Sequence, residues 1–274
     1  MGQLLLVVKV FEKLIFRLDH WISGLQRGHL TVLVGRPSMG KTSFVLSVAK
    51  NVVNHQKIPV LYFSIRESKE KIALRLVCSQ SRVNAHNIKS GFLSPTDWPK
   101  LTAAAGVLAD APLYVDDSLL SIEQIEKTIK YYVSHKKVGL VIIDALQEIE
   151  GGFFAETRER RRKTEDFCRI IKRTAVQQDI PILLTYWAPR SFEDDYRKVP
   201  ALYNFSKEDG NLPCYADEIL MLYREEYYFP TDSNSGATDI RVIKSETESV
   251  TINIHFIREC CLFEDWEITR TGGV

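Results

Sequence analysis

With 274 residues, 45% of them apolar and 26% charged, the chain is long enough to bury a full globular core and too rich in apolar residues to be disordered. Its net charge of +1, from 36 basic and 35 acidic residues, excludes a generally cationic nucleic-acid coat, so a DNA surface has to be a local patch. Five cysteines, an odd number without a C-x-x-C pair or nearby histidines at finger spacing, argue against a disulfide framework or a zinc finger and point to unbridged thiols in the cytoplasm.

The chain opens on Leu4–Val8, an apolar run interrupted by Lys9, Glu12 and Lys13. It is too short to span a bilayer and no small-residue cleavage site follows, so no membrane partner is expected. Phe11, Leu14, Ile15 and Leu18 continue at helical spacing. Residues 1–28 therefore read as an amphipathic linker helix, packing on its own domain or on a neighbouring subunit, and 29–274 as one main domain. From residue 30, short apolar runs alternate with helical patterns, which predicts an α/β fold with a mostly parallel twisted sheet flanked by helices. Strands are expected at Leu30–Val34, Val60–Ser64, Leu113–Val115, Leu140–Ile143 and Ile182–Thr185. Further strands follow at Ile219–Tyr223, Asp239–Lys244 and Val250–Phe256, the last two forming a C-terminal β-hairpin. Ser94-Pro95 opens one helix, and Ser121 with Gln124 forms a capping box for the next. Residues 192–213 and 231–238 read as surface connections.

The chemistry begins at Gly35-Arg36-Pro37-Ser38-Met39-Gly40-Lys41-Thr42, which fits G-x-x-x-x-G-K-[ST] between a predicted strand and the helical pattern Ser43–Val52. Glycines let the backbone wrap a phosphate chain, and successive N–H groups at a helix start supply a positive pole. Gly35 through Ser43 are thus expected to bind a nucleoside triphosphate, ATP, with Lys41 on its β- and γ-phosphates and Thr42 on Mg²⁺. A Gly-rich strand-to-helix turn without a ligand is the bland alternative. A second element strengthens the first: Leu140-Val141-Ile142-Ile143-Asp144 is an apolar run ending in the acid that would hold the magnesium through water.

Together with SGLQRG (23–28), VLYFS (60–64), TDWPKL (96–101), APLYVDD (111–117), LVIIDALQ (140–147) and ADEILMLYREEYY (216–228), the loop resembles the motor domain of DnaB-type replicative DNA helicases. The likeness runs over residues 15–263. It implies a RecA-like P-loop fold, ATP-dependent hydrolase work on single-stranded DNA in replication, a homo-oligomeric ring of the hexameric kind with ATP at subunit boundaries, and contact with other replication proteins. The N-terminal domain of that family has no counterpart in this sequence. Three positions depart from the family pattern. Where the resemblance expects a water-orienting Glu, two residues after the strand Val60–Ser64, stands Arg66, with Glu67 beside it as the candidate replacement. Where it expects a γ-phosphate-sensing Gln stands Trp187. Of a Lys-x-Arg that reaches the neighbour's nucleotide, Lys244 is kept and the Arg position is Glu246. A positioned acid–base group contributes about 10²–10⁴ in rate and an arginine finger about 10³–10⁵, so the expected turnover is low unless Glu67 acts with Lys41 and Asp144. Arg66 and Glu246 reverse the family's signs, either as a pair across subunits or as two unrelated changes.

Arg158, Arg160, Arg161, Arg162 and Lys163 precede a helix with Phe167, Ile170, Ile171 and Ala175 on its apolar face. The run is either a phosphate-contacting surface for single-stranded DNA, at the position of the family's channel loop, or a solvated face diluted by Glu156, Glu159, Glu165 and Asp166. Two functional readings follow: a DnaB-type motor, or a hydrolysis-deficient nucleotide-binding regulator or assembly factor of a replicative helicase.

Overall fold

The structure, a computed structural model, describes Val8 and residues 16–118, 121–146, 149, 157–188, 205, 212–231, 234–244 and 250–266, with backbone alone at 16–17 and 157–161. Its first half comprises α1 (Phe16–Ile22), β1 (Leu30–Gly35), α2 (Lys41–Asn51), β2 (Val60–Ser64), α3 (Lys69–Ser81), α4 (Ala85–Ser90), α5 (Asp97–Ala109) and β3 (Leu113–Asp116). There follow α6 (Ile122–Lys136), β4 (Leu140–Asp144), α7 (Thr157–Gln178), β5 (Ile182–Trp187), α8 (Leu212–Tyr215), β6 (Glu218–Tyr223), β7 (Ala237–Lys244), β8 (Val250–Ile257) and β9 (Leu262–Asp265).

Among the described residues the strands form one nine-stranded sheet in the order β3-β2-β4-β5-β1-β6-β7-β8-β9. Strands β3 to β6 of that order run parallel, and β7, β8 and β9 add an antiparallel edge. Strands β1, β2 and β4 are buried on both faces, which is why they read as unbroken apolar runs. Strands β7 and β8 alternate instead, because only one of their faces is covered. Two core clusters lie on opposite faces of the sheet: one joins Leu33, Tyr62 and Leu222 to α2 and α3, the other joins Val34, Phe63 and Ile143 to α6 and α7. Leu18, Ile22 and Leu25 from the N-terminal segment are buried in the first cluster, so the amphipathic stretch packs on the chain's own domain over the residues described.

The register aligns the chemistry along one sheet edge. Ser64 lies level with Asp144, and Gly35 with Trp187, all at the C-terminal ends of parallel strands. Ligands of open α/β sheets collect at that edge.

The structure amends the expected elements in three places. Strand β9 was not expected, because a four-residue LFED run neither alternates nor stays apolar; it forms because Phe263 packs on Phe44 and Phe256 while Arg82 pairs with buried Glu264. Within the stretch read as a surface connection, Phe205 is fully buried and Leu212–Tyr215 is helical; the rest of 192–211 lies outside the described residues. Strand β7 begins inside the second connection, where Phe256 N donates to Gly236 O at 2.8 Å and Gly236 N to Glu226 at 2.6 Å. The Ser121 capping box forms as expected, whereas the helix after Ser94-Pro95 starts only at Asp97, whose carboxylate accepts from Ser94 N at 3.0 Å. No helix among the described residues is long and apolar enough to cross a membrane.

Candidate functional site

Gly35 ends β1 and Lys41 begins α2, so the glycine-rich segment is the strand-to-helix turn. Gly40 holds φ 97, and a Cβ there would lie 3.0 Å from the Phe263 ring, so the turn needs glycine on conformational and steric grounds. Helix α2 has no side-chain cap and no acid in its first turn, which leaves its first N–H groups and its positive end open to an anion. Pro37, Ser38, Gly40, Lys41, Thr42 and Ser43 line a cavity of about 490 Å³ at this point. Met39 turns into the core instead, and Arg36 donates to Ala188 O at 2.9 Å.

Lys41 is 7% exposed, and its Nζ donates to Gly35 O at 2.6 Å and Arg36 O at 3.1 Å. Burial takes its ammonium down from 10.5 to about 7, against the opposing pull of Asp144 and with help from Arg36 and Arg66. Asp144 is the hub of the site. Its carboxylate accepts from Thr42 Oγ1 at 2.7 Å, Tyr62 Oη at 2.8 Å and Thr185 Oγ1 at 2.5 Å, tying α2, β2 and β5 to the end of β4. A hydroxyl and a carboxylate side by side are hard oxygen donors suited to Mg²⁺, which takes its remaining ligands from water and phosphate. Accordingly, no cluster of three or more His, Cys, Asp or Glu side chains able to hold a metal exists among the described residues.

Opposite the loop lies Arg224, just beyond β6. It is 2% exposed, donates from Nε to Glu226 at 3.0 Å and from Nη1 to Ser38 O at 3.2 Å, and places its guanidinium 4.8 Å from the Phe256 ring centroid. Ser38, at φ 67, adopts the left-handed conformation. Arg224 thus anchors the crown of the loop. Sequence reasoning passed over it, together with Tyr62 and Thr185; an Arg-Glu-Glu closing a buried strand was the available signal, since a cation there has to be paired. The cavity is lined by Lys41 and four arginines (66, 75, 224 and 258) against Glu67 and Asp144, a balance suited to an anionic ligand.

Two of the three positions that departed from the expected pattern, Arg66 and Trp187, are in contact. Arg66 places its guanidinium 5.1 Å from the Trp187 ring centroid. Glu67 also lines the cavity, but its two carboxylate oxygens accept from Arg75 Nε and Nη2, each at 2.7 Å. Although half-burial works to raise it, that pairing holds the Glu67 carboxyl below the usual carboxylate range. Glu246 lies outside the described residues.

Lys244 does not join the cavity of its own chain. Strand β7 runs antiparallel to β6 and pairs Lys244 with Ile219, at the opposite end of the strand from Arg224. Its Nζ hydrogen-bonds the carbonyls of Pro213 and Ala216. The basic run occupies the start of α7, which follows β4 and therefore begins at the same sheet edge as the cavity. At 22 residues the helix is about 33 Å long, longer than a typical strand of about 17–20 Å. Arg162 is exposed with Asp166 4.0 Å away, Lys163 is half-buried, and burial begins at Thr164; the side chains of Arg158, Arg160 and Arg161 are outside the described set.

Comparison with known proteins places this geometry. The DnaB-like helicase C terminal domain matches residues 12–265. The chain belongs to that family. It is 31% identical over 252 residues to the replicative DNA helicase DnaB of Geobacillus stearothermophilus, covering 91% of this chain and 55% of that protein. A probable replicative DNA helicase of Trieres chinensis is 34% identical over 227 residues, covering 82% of this chain and 50% of the relative. The chain thus spans about half the length of these curated relatives. Among solved structures, the ATPase domain of G40P superimposes with a TM-score of 0.82 at 27% identity, covering 90% of this chain and 88% of that one. A DnaB-like replicative helicase, described with its interactions with primase, gives a TM-score of 0.83 at 26% identity, covering 93% of this chain and 61% of that one. The RecA-like α/β fold expected from the sequence is therefore the fold of the DnaB-like ATPase domains.

Proposed function

We propose that the chain is an ATP·Mg²⁺-binding motor domain that works on single-stranded DNA in DNA replication, as a ring of identical subunits in the cytoplasm. The observation that carries this reading is the convergence of Lys41, Thr42 and Asp144 at one open helix start, in a chain of the DnaB-like family. Bound Mg²⁺ supplies neutralising charge at the phosphates. The chain's own groups do the rest. Amides of the loop and the first turn of α2 orient the phosphates, Lys41 exchanges its carbonyl partners for phosphate oxygens, and the Thr42 hydroxyl and Asp144 hold the metal. Lys244, facing away from its own site, serves the adjoining subunit. Glu67, which lines the cavity, is the candidate acid for the attacking water, and it works only if Arg75 releases one of its oxygens. Cations at the start of α7, exposed Arg162 together with Arg158, Arg160, Arg161 and Lys163, contact the DNA backbone. Other replication proteins are the expected partners, on the pattern of the DnaB-like helicase solved with primase.

The sign of the pH effect follows from Lys41. Its folded-state value of about 7 means that Lys41 is largely neutral in the free site at pH 8, whereas a bound phosphate chain keeps the ammonium charged. Binding then takes up a proton, and ATP affinity falls as pH rises above 7. Calorimetry in two buffers of different ionisation heat should record that uptake at pH 8, and Lys41→Arg should abolish it.

Steady-state ATP hydrolysis with and without single-stranded DNA, beside Lys41→Ala, tests the motor reading. DNA-stimulated turnover that disappears in the variant is the expected result. Tight ATP binding with no turnover under either condition would overturn the motor reading and leave a nucleotide-binding protein.

A further inference from the structure

Arg66 lies just past β2 and Trp187 ends β5, two strands held apart by β4, and both line the phosphate cavity with Lys41, Thr42 and Asp144. Trp187 is level with Gly35, where the loop begins, and Arg66 lies two residues past Ser64, which is level with Asp144. The guanidinium rests 5.1 Å from the indole centroid. The neighbouring acid, Glu67, feels the charge of Arg66 but accepts its two short hydrogen bonds from Arg75. Arg66 also raises the local potential, felt by Lys41 as a push toward the neutral form. An exposed guanidinium held over an aromatic face is weakly retained, whereas a phosphate oxygen offers it a charge-assisted, two-pronged hydrogen bond. The cation therefore has a stronger partner within the cavity as soon as a terminal phosphate is present.

We propose that Arg66 reads the terminal phosphate of a nucleoside triphosphate from within its own subunit, with Trp187 as the seat it leaves when that phosphate is bound. Arg66 is then a ligand-selecting residue. It binds triphosphate in preference to diphosphate, and the indole reports the difference. The inference rests on the nucleotide-binding reading of the same cavity and goes beyond it by naming what separates the two nucleotides.

Calorimetric titration with Mg·ATP and with Mg·ADP, on the unaltered protein and on Arg66→Ala, tests this, with tryptophan emission followed in parallel on Trp187→Phe as the control. Because Arg66 is exposed, its replacement leaves folding intact. The expected result is a loss of about tenfold or more in ATP affinity with ADP affinity changed by less than about twofold. An emission change on ATP but not ADP should accompany it, absent from both variants. Equal weakening of both nucleotides, or no weakening of either, would overturn the role assigned to Arg66 while leaving the nucleotide site in place. If the unaltered protein binds neither nucleotide, the site reading and this inference fall together.

Discussion

Arg224→Ala should lower the stability of the chain by about 3–5 kcal/mol, the range for removing one partner of a buried ion pair. At 2% exposed, Arg224 leaves Glu226 with a desolvated charge when truncated, and the cavity under Phe256 adds to the loss. Part of the Glu226 charge stays satisfied by Gly236 N at 2.6 Å, which keeps the effect within that range. The loop suffers as well, because Ser38 O loses the donor that fixes its crown. Urea denaturation reads the first effect and ATP titration the second. A double variant, Arg224→Met with Glu226→Gln, should recover most of the stability, since it leaves no buried charge unpaired and Arg258, the other ion-pair partner of Glu226, is exposed. It should not recover the affinity, because Met cannot donate to Ser38. If the single variant unfolds at the same urea concentration as the parent, the buried pair is not the anchor described.

Asp144→Asn should abolish most of the gain that Mg²⁺ brings to ATP affinity, a loss of about 10–100-fold, the size seen when a group that orients a metal's ligands is removed. Three hydroxyls, from Thr42, Tyr62 and Thr185, donate to this carboxylate. An amide offers one acceptor oxygen and turns an N–H₂ toward the remaining hydroxyls, so Thr42 is no longer held where the metal needs it. Titrations of ATP with and without Mg²⁺ separate this from simple misfolding: affinity without the metal should change little. Equal loss with and without Mg²⁺ would assign Asp144 a structural role alone.

Much of the parallel sheet was legible because strands buried on both faces have to be apolar throughout, as in Leu140–Ile143 and Val60–Ser64. The loop was legible because its glycines and lysine follow from local geometry. What escaped was what only tertiary convergence creates. Strand β9 carries a buried Glu264 that no local pattern predicts, since Arg82, 182 residues away, compensates it. Tyr62 and Thr185 look like ordinary strand residues until β4 brings Asp144 between them. Arg66 and Trp187 stood out separately as departures from the family pattern, yet their contact depends on the order β2-β4-β5. Glu67 was read as a substitute acid by adjacency in sequence, and its bidentate pairing with Arg75 arises only once α3 folds back beside it.

The most direct test of the account is equilibrium binding of Mg·ATP to the purified protein and to Lys41→Ala at pH 7. The account predicts saturable binding by the parent and its loss in the variant, whose fold, followed by circular dichroism, stays intact. Binding that survives the loss of Lys41, or a parent that does not bind Mg·ATP, would contradict it.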